Sequence, residues 1–179
     1  ELDAAPAASI ESFAGVGYPF SAGVIRQGDA VLDVGSGSGT DTLIAAMLTG
    51  PSGVVCGLDM TRAMREKLQR IVTAKQMEHV RVLGGNAEQI PLPDASVDVV
   101  TSNGVLNLVP DKPAAFGEIA RVLKPGGRLQ IADIALRVPV SDQSRADPRL
   151  WAECVVGAIT EDDYSSLLRA AGLSVEVLS

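Results

Sequence analysis

Glycines at 35, 37 and 39 follow the apolar run Val31-Leu32-Asp33-Val34. A second apolar run ends in Gly57-Leu58-Asp59-Met60, its carboxylate 20 residues after Gly39. Glycines let a backbone bend sharply and approach a ligand closely. A helix opening after such a turn offers free N–H groups and the positive end of its dipole. A carboxylate about 20 residues further on is placed to take two ribose hydroxyls. The chain is thus constrained to a strand–turn–helix–strand unit suited to an adenosine-containing ligand.

The details discriminate among such ligands. The dinucleotide fingerprint needs a third small residue at position 40, which here is the β-branched Thr40. Asp33 and Asp41 flank the turn and would repel a pyrophosphate. Carboxylates there suit a cationic ligand with a free ammonium group, and S-adenosylmethionine is one. A nicotinamide-binding oxidoreductase module is the competing reading.

Apolar, β-branched segments at about 30–34, 53–58, 80–84, 97–102, 127–133 and 174–178 are expected strands. Helical spacing recurs over 61–76, 112–124 and 161–171. Asp111 is placed as an N-cap with Pro113 in the first turn, and Pro125-Gly126-Gly127 is expected to end that helix. Thr160 and Asp163 occupy capping-box positions. The alternation predicts an α/β, three-layer, Rossmann-like fold with a mostly parallel central sheet. Residues 1–11 are expected to be an N-terminal arm and 12–179 one domain.

In such a sheet a ligand sits beyond the carboxyl ends of the strands. Asn86 and Ala87 follow the third strand, Asn103 and Gly104 the fourth, Asp133 the fifth. An Asn86 side-chain oxygen can accept from an adenine amino group. The carbonyl groups of Asn103 can hold an ammonium.

The net charge of −7 argues against nucleic-acid and anionic membrane partners. No apolar run reaches 18 residues, so no membrane span is expected. Two cysteines, Cys56 and Cys154, make no disulfide framework, and a cytoplasmic location is the expectation. No metal site is expected, because no Cys/His cluster has zinc spacing.

Five motifs in order, Val31–Asp41, Gly57–Met60, Gly84–Leu92, Asp98–Asn103 and Leu123–Leu129, resemble the class I S-adenosylmethionine-dependent methyltransferases. The resemblance implies Gly35 and Gly37 beside the methionine part of the cofactor, Asp59 on ribose, and Asn86 with Ala87 at adenine. The family usually has Asp where this chain has Asn86. Asp33, Gly39, Met60 and Asn103 complete the implied cofactor set. Tyr18, on a glycine-rich segment from Gly15 to Phe20, is expected to close over the sulfonium. A family sheet normally finishes with an antiparallel pair, of which 174–178 is the first strand, so the C-terminal end of the domain is expected to be incomplete.

A narrower resemblance is to the arsenite methyltransferase branch. It rests on Ser12–Pro19, Ser102–Lys112 and Trp151–Ala158. That branch binds trivalent arsenic through cysteines. This chain has Val16 and Gly104 at two of those positions and retains only Cys154. Cys154 is therefore the candidate catalytic residue, with a small buried core residue as its alternative role. The resemblance implies methyl transfer to a small-molecule acceptor, with trivalent arsenic as the leading named one. An external thiol such as glutathione would fill the vacant ligand positions. The alternatives are an unrelated sulfur, oxygen, nitrogen or carbon nucleophile, or a cofactor-binding domain without activity.

Overall fold

The computed structural model describes residues 14–138 and 157–177. The expected N-terminal arm and Cys154 lie outside them. Five strands form one sheet: β1 Ala30–Val34, β2 Val54–Asp59, β3 Val80–Gly84, β4 Val97–Asn103 and β5 Leu123–Ala132. Their order is β3-β2-β1-β4-β5, and every pairing is parallel. Among the described residues four α-helices accompany them: α1 Thr40–Thr49, α2 Arg62–Ala74, α3 Lys112–Val122 and α4 Glu161–Ala170.

The strand sequences explain the layering. A parallel sheet is buried on both faces, so its central strands are largely apolar. Side chains alternate across β1. Val31 joins Ile44 of α1, Leu68 and Val72 of α2 and Phe20 in one core cluster. Leu32 and Val34 join Phe116 and Ile119 of α3 and Leu168 of α4 in the other. The strand order turns back between β1 and β4, and the crevice at their carboxyl ends is the ligand position of such sheets.

The caps expected for α3 and α4 form. The Asp111 side chain accepts from Ala114 N at 3.0 Å. Thr160 Oγ1 accepts from Asp163 N at 3.1 Å and donates to the Asp163 carboxylate at 2.7 Å.

Two expectations need correction. The helix expected over 112–124 stops at Val122, and the strand expected over 127–133 begins at Leu123. Leu123 pairs with Val97, and the next matched pair is Val99 with Arg128. Residues 124–127 therefore loop out as a bulge, with Gly126 at φ +76°. Pro125-Gly126-Gly127 kinks a strand already begun and does not end the helix. Residues 174–177 are not a strand. A strand needs a hydrogen-bonded neighbour, and the described part of this segment has none; residue 178 lies outside the described residues.

Candidate functional site

The glycine turn is hung on the end of β2. Gly35 N and Ser36 N both donate to Leu58 O, at 2.8 and 2.9 Å. Gly37 N donates to the Asp59 carboxylate at 2.8 Å. The second Asp59 oxygen accepts from Thr61 N at 2.7 Å. The two halves of the motif thus meet in space, and Asp59 fixes the turn that it flanks. Each carboxylate oxygen retains acceptor capacity beyond these bonds.

All three glycines have positive φ, but their surroundings differ. A Cβ on Gly35 would lie 2.2 Å from Val105 Cγ2, and one on Gly39 2.2 Å from Leu68 Cδ1. A Cβ on Gly37 would meet nothing within 4 Å. Gly35 and Gly39 are glycines because protein packs on them. Of the three, Gly37 alone faces open space, and its amide is the one that meets Asp59.

Behind the turn lie two buried carboxylates. Asp33 is 2% exposed, and its carboxylate accepts from the Thr42 hydroxyl. Burial, with the Asp41 charge beside it, pushes the Asp33 carboxyl up to about 8. Asp41 is also raised by burial, and its bond from Asn103 opposes that shift. A buried acidic pair is costly without a counter-charge. Asp33 is buried at the end of β1 and held by Thr42 in the first turn of α1.

The sign of this shift has a consequence. The native chain holds a proton on Asp33 that the unfolded chain releases near 3.8. Below that pH the contribution to stability is fully present, and it is lost as pH rises toward 8. Thermal unfolding of the ligand-free protein should show a midpoint that falls between about pH 4 and 8 and levels off above that. Asp33→Asn should flatten that decline, and an unaltered slope would assign the proton elsewhere.

The remaining expected residues distribute unevenly. Met60 is 76% exposed beside Asp59. Asn86 is exposed and bridged to Gln89 across a short turn after β3. Ala87 is buried in the core, so its backbone alone is available to a ligand. Tyr18 is at the rim, edge-on to Phe20 with ring centroids 5.5 Å apart. Phe20 is 6% exposed, because a 3-10 turn, Pro19–Ala22, drives it into the core. It is an anchor, and the segment expected to close over the pocket is shortened to the residues before it. The Asn103 side chain, expected among the ammonium ligands, bonds instead to Val16, Gly17 and Asp41. Cys56 is a buried core residue. His79 precedes β3, at the far end of the sheet.

A polar cluster went unrecognised in the sequence. At the end of β5 the Asp133 carboxylate accepts from Asn107 N at 3.0 Å, Tyr164 Oη at 3.1 Å and Ile134 N at 3.1 Å. The buried Lys112 ammonium donates to the Asn107 and Val109 carbonyls. The signal was Asn107, a polar residue inside the apolar run Val105–Val109. With its carboxylate held by three donors, Asp133 fastens the β4–α3 connection to β5 and α4.

The methyltransferase domain family matches residues 25–172 of this chain. The chain belongs to the class I S-adenosylmethionine-dependent methyltransferases. It lies close to their arsenite branch. An arsenite methyltransferase of Halobacterium salinarum is 41% identical over 164 residues, covering 91% of this chain and 42% of the relative. The crystal structure of an arsenic(III) S-adenosylmethionine methyltransferase from Chlamydomonas reinhardtii superposes with a TM-score of 0.85 at 34% identity. It covers 96% of this chain and 60% of that one. A 27-O-demethylrifamycin SV methyltransferase of Amycolatopsis mediterranei is 35% identical, covering 85% of this chain and 56% of the relative. The chain thus spans less than half the length of the Halobacterium arsenite methyltransferase. The family cofactor is S-adenosylmethionine. The residues present fit it: open space at Gly37, a partly exposed Asp59 and a buried acidic pair with no counter-cation among the described residues. Among the described residues no helix is long and apolar enough to cross a membrane.

Proposed function

We propose that this chain is the cofactor-binding part of an enzyme that moves a methyl group from S-adenosylmethionine to a small-molecule nucleophile. The observation that carries the proposal is the open face of Gly37 beside Asp59, above the buried pair Asp33 and Asp41. Asp59 would hold the ribose, the Gly37 backbone would admit the methionine part, and the acidic pair would favour the ammonium group. The cofactor supplies an activated methyl on a positively charged sulfur. The protein then has to align the acceptor and exclude water, which is worth roughly 7–11 kcal/mol in favourable cases. A soft lone pair needs no general base. That agrees with an Asp133 already engaged by three donors.

Positions 16 and 104, where the arsenite branch carries thiols, are neighbours here. A Cβ on Gly104 would lie 3.5 Å from Val16 Cγ1. In this chain that pair is a valine side chain against a glycine, with no donor to a metalloid. Trivalent arsenic as acceptor therefore requires Cys154 together with an external thiol such as glutathione. The same apolar pair favours a second reading, a carbon-rich acceptor bearing a sulfur, oxygen or nitrogen nucleophile.

Transfer of labelled methyl groups by the full-length protein distinguishes the two. Arsenite should be methylated only with added thiol, and Cys154→Ser should abolish that activity without altering affinity for S-adenosylhomocysteine. Arsenic methylation surviving in Cys154→Ser removes the cysteine from the mechanism. Transfer to small thiols or phenols with none to arsenite establishes the second reading.

A further inference from the structure

The Asn103 side chain makes four hydrogen bonds at the end of β4. Its Oδ1 accepts from Val16 N at 2.9 Å and Gly17 N at 3.3 Å. Its Nδ2 donates to Gly17 O at 2.9 Å and to the Asp41 carboxylate at 2.9 Å. One amide group thus joins a segment 86 residues away to an acidic residue of the cofactor pocket. Two glycines let that segment approach. A Cβ on Gly104, which has φ +71°, would lie 3.2 Å from Ala14 O, and one on Gly17 would lie 3.0 Å from Ala132 Cβ.

We propose that Asn103 is a positioning residue that ties the backbone at 16–17 to the Asp41 carboxylate. Through it, seating of this segment on the pocket is coupled to the charge of the acidic pair. The proposal rests on the cofactor reading above. An amide suits the task, since it accepts and donates at once. Neither an aspartate nor a serine supplies two acceptor bonds to backbone N–H groups together with two donor bonds. The coupling has a direction. A cationic ligand holds Asp41 ionised, an ionised Asp41 is the better acceptor for Nδ2, and a fixed Asn103 holds Gly17. Among the described residues, Asp33 on β1 faces Asp41, and Asp59 on β2 in turn acts on Asp33.

The test combines amide exchange at Val16 and Gly17 with S-adenosylhomocysteine affinity as a function of pH. In wild type both amides should be protected, and more so with ligand. Asn103→Ala should lose that protection, raise the Kd at least tenfold and move the acid-side loss of affinity to higher pH, because Asp41 loses a donor. Asn103→Asp, close in shape, keeps an acceptor for the two amides but loses the donor to Asp41. It should retain much of the protection and still show the shifted pH profile. Gly104→Ala, which crowds the segment but keeps the Asn103 amide and its bond to Asp41, should lose protection and, because coupling is reciprocal, move the pH profile the same way by less than Asn103→Ala does. Full protection in Asn103→Ala, or a wild-type pH profile in both Asn103 variants, overturns the proposal. A wild-type protein that binds no S-adenosylhomocysteine refutes the cofactor reading instead, while exchange in the free protein still reports the tether.

Discussion

Replacing Asp59 by alanine is expected to weaken binding of S-adenosylmethionine and its demethylated product by well over tenfold while leaving the chain folded. The two Asp59 oxygens already accept from Gly37 N and Thr61 N, so the carboxylate is fixed before a ligand arrives. A ribose diol would add two charge-assisted hydrogen bonds, each worth roughly 1.5–3 kcal/mol at most. Losing both leaves the ribose without an acceptor and frees the turn at Gly37. The residue is only partly buried at a strand end, so its truncation opens no core cavity. Calorimetry is the measurement. Unchanged affinity in a folded Asp59→Ala protein would move the ribose elsewhere.

The second large effect separates two glycines that look alike in the sequence. Gly39→Ala should cost stability. The position has φ +99°, and the new Cβ would lie 2.2 Å from Leu68 Cδ1 and 3.1 Å from Leu68 Cγ. Leu68 is wholly buried in the core, so it yields only by disturbing its packed neighbours. Overpacking costs about 1–3 kcal/mol, and the left-handed backbone adds roughly 1–2 kcal/mol. At about 2–4 °C per kcal/mol for a chain of this size, the melting temperature should fall by on the order of 10 °C. Gly37→Ala should behave in the opposite way. Its φ of +53° costs roughly 1–2 kcal/mol, and nothing obstructs the methyl group. That methyl would instead occupy the open space assigned to the cofactor. A smaller fall in melting temperature than in Gly39→Ala, about 2–8 °C, with a large loss of cofactor affinity is the expected pattern. Retained affinity in Gly37→Ala would show that the open side is not the ligand side.

Much of this fold is legible because it depends on local pattern. Apolar runs between glycine-rich turns mark the five strands, and hydroxyl and carboxylate caps mark α3 and α4. The two halves of the cofactor motif are also legible, since their spacing is fixed by one strand–helix–strand unit. What the sequence hides are contacts between distant segments. Nothing local says that Leu68 packs on Gly39, that Val105 packs on Gly35, or that Phe20 is drawn into the core. The bulge at 124–127 is hidden for a related reason. Pro125-Gly126-Gly127 reads as a helix stop, and only the pairing of Leu123 with Val97 shows that a strand has already begun. Asn103 gives the sharpest contrast. Its position at the end of β4 is evident from the sequence, whereas its partners are 62 and 86 residues away.

Parallel titration of the protein with S-adenosylhomocysteine and with NAD tests the central claim most directly. An open Gly37, a ribose carboxylate at Asp59 and the buried pair Asp33 and Asp41 should give saturable binding of the first ligand. The same carboxylates should repel the pyrophosphate of the second. Binding of NAD, with none of S-adenosylhomocysteine, would contradict the account.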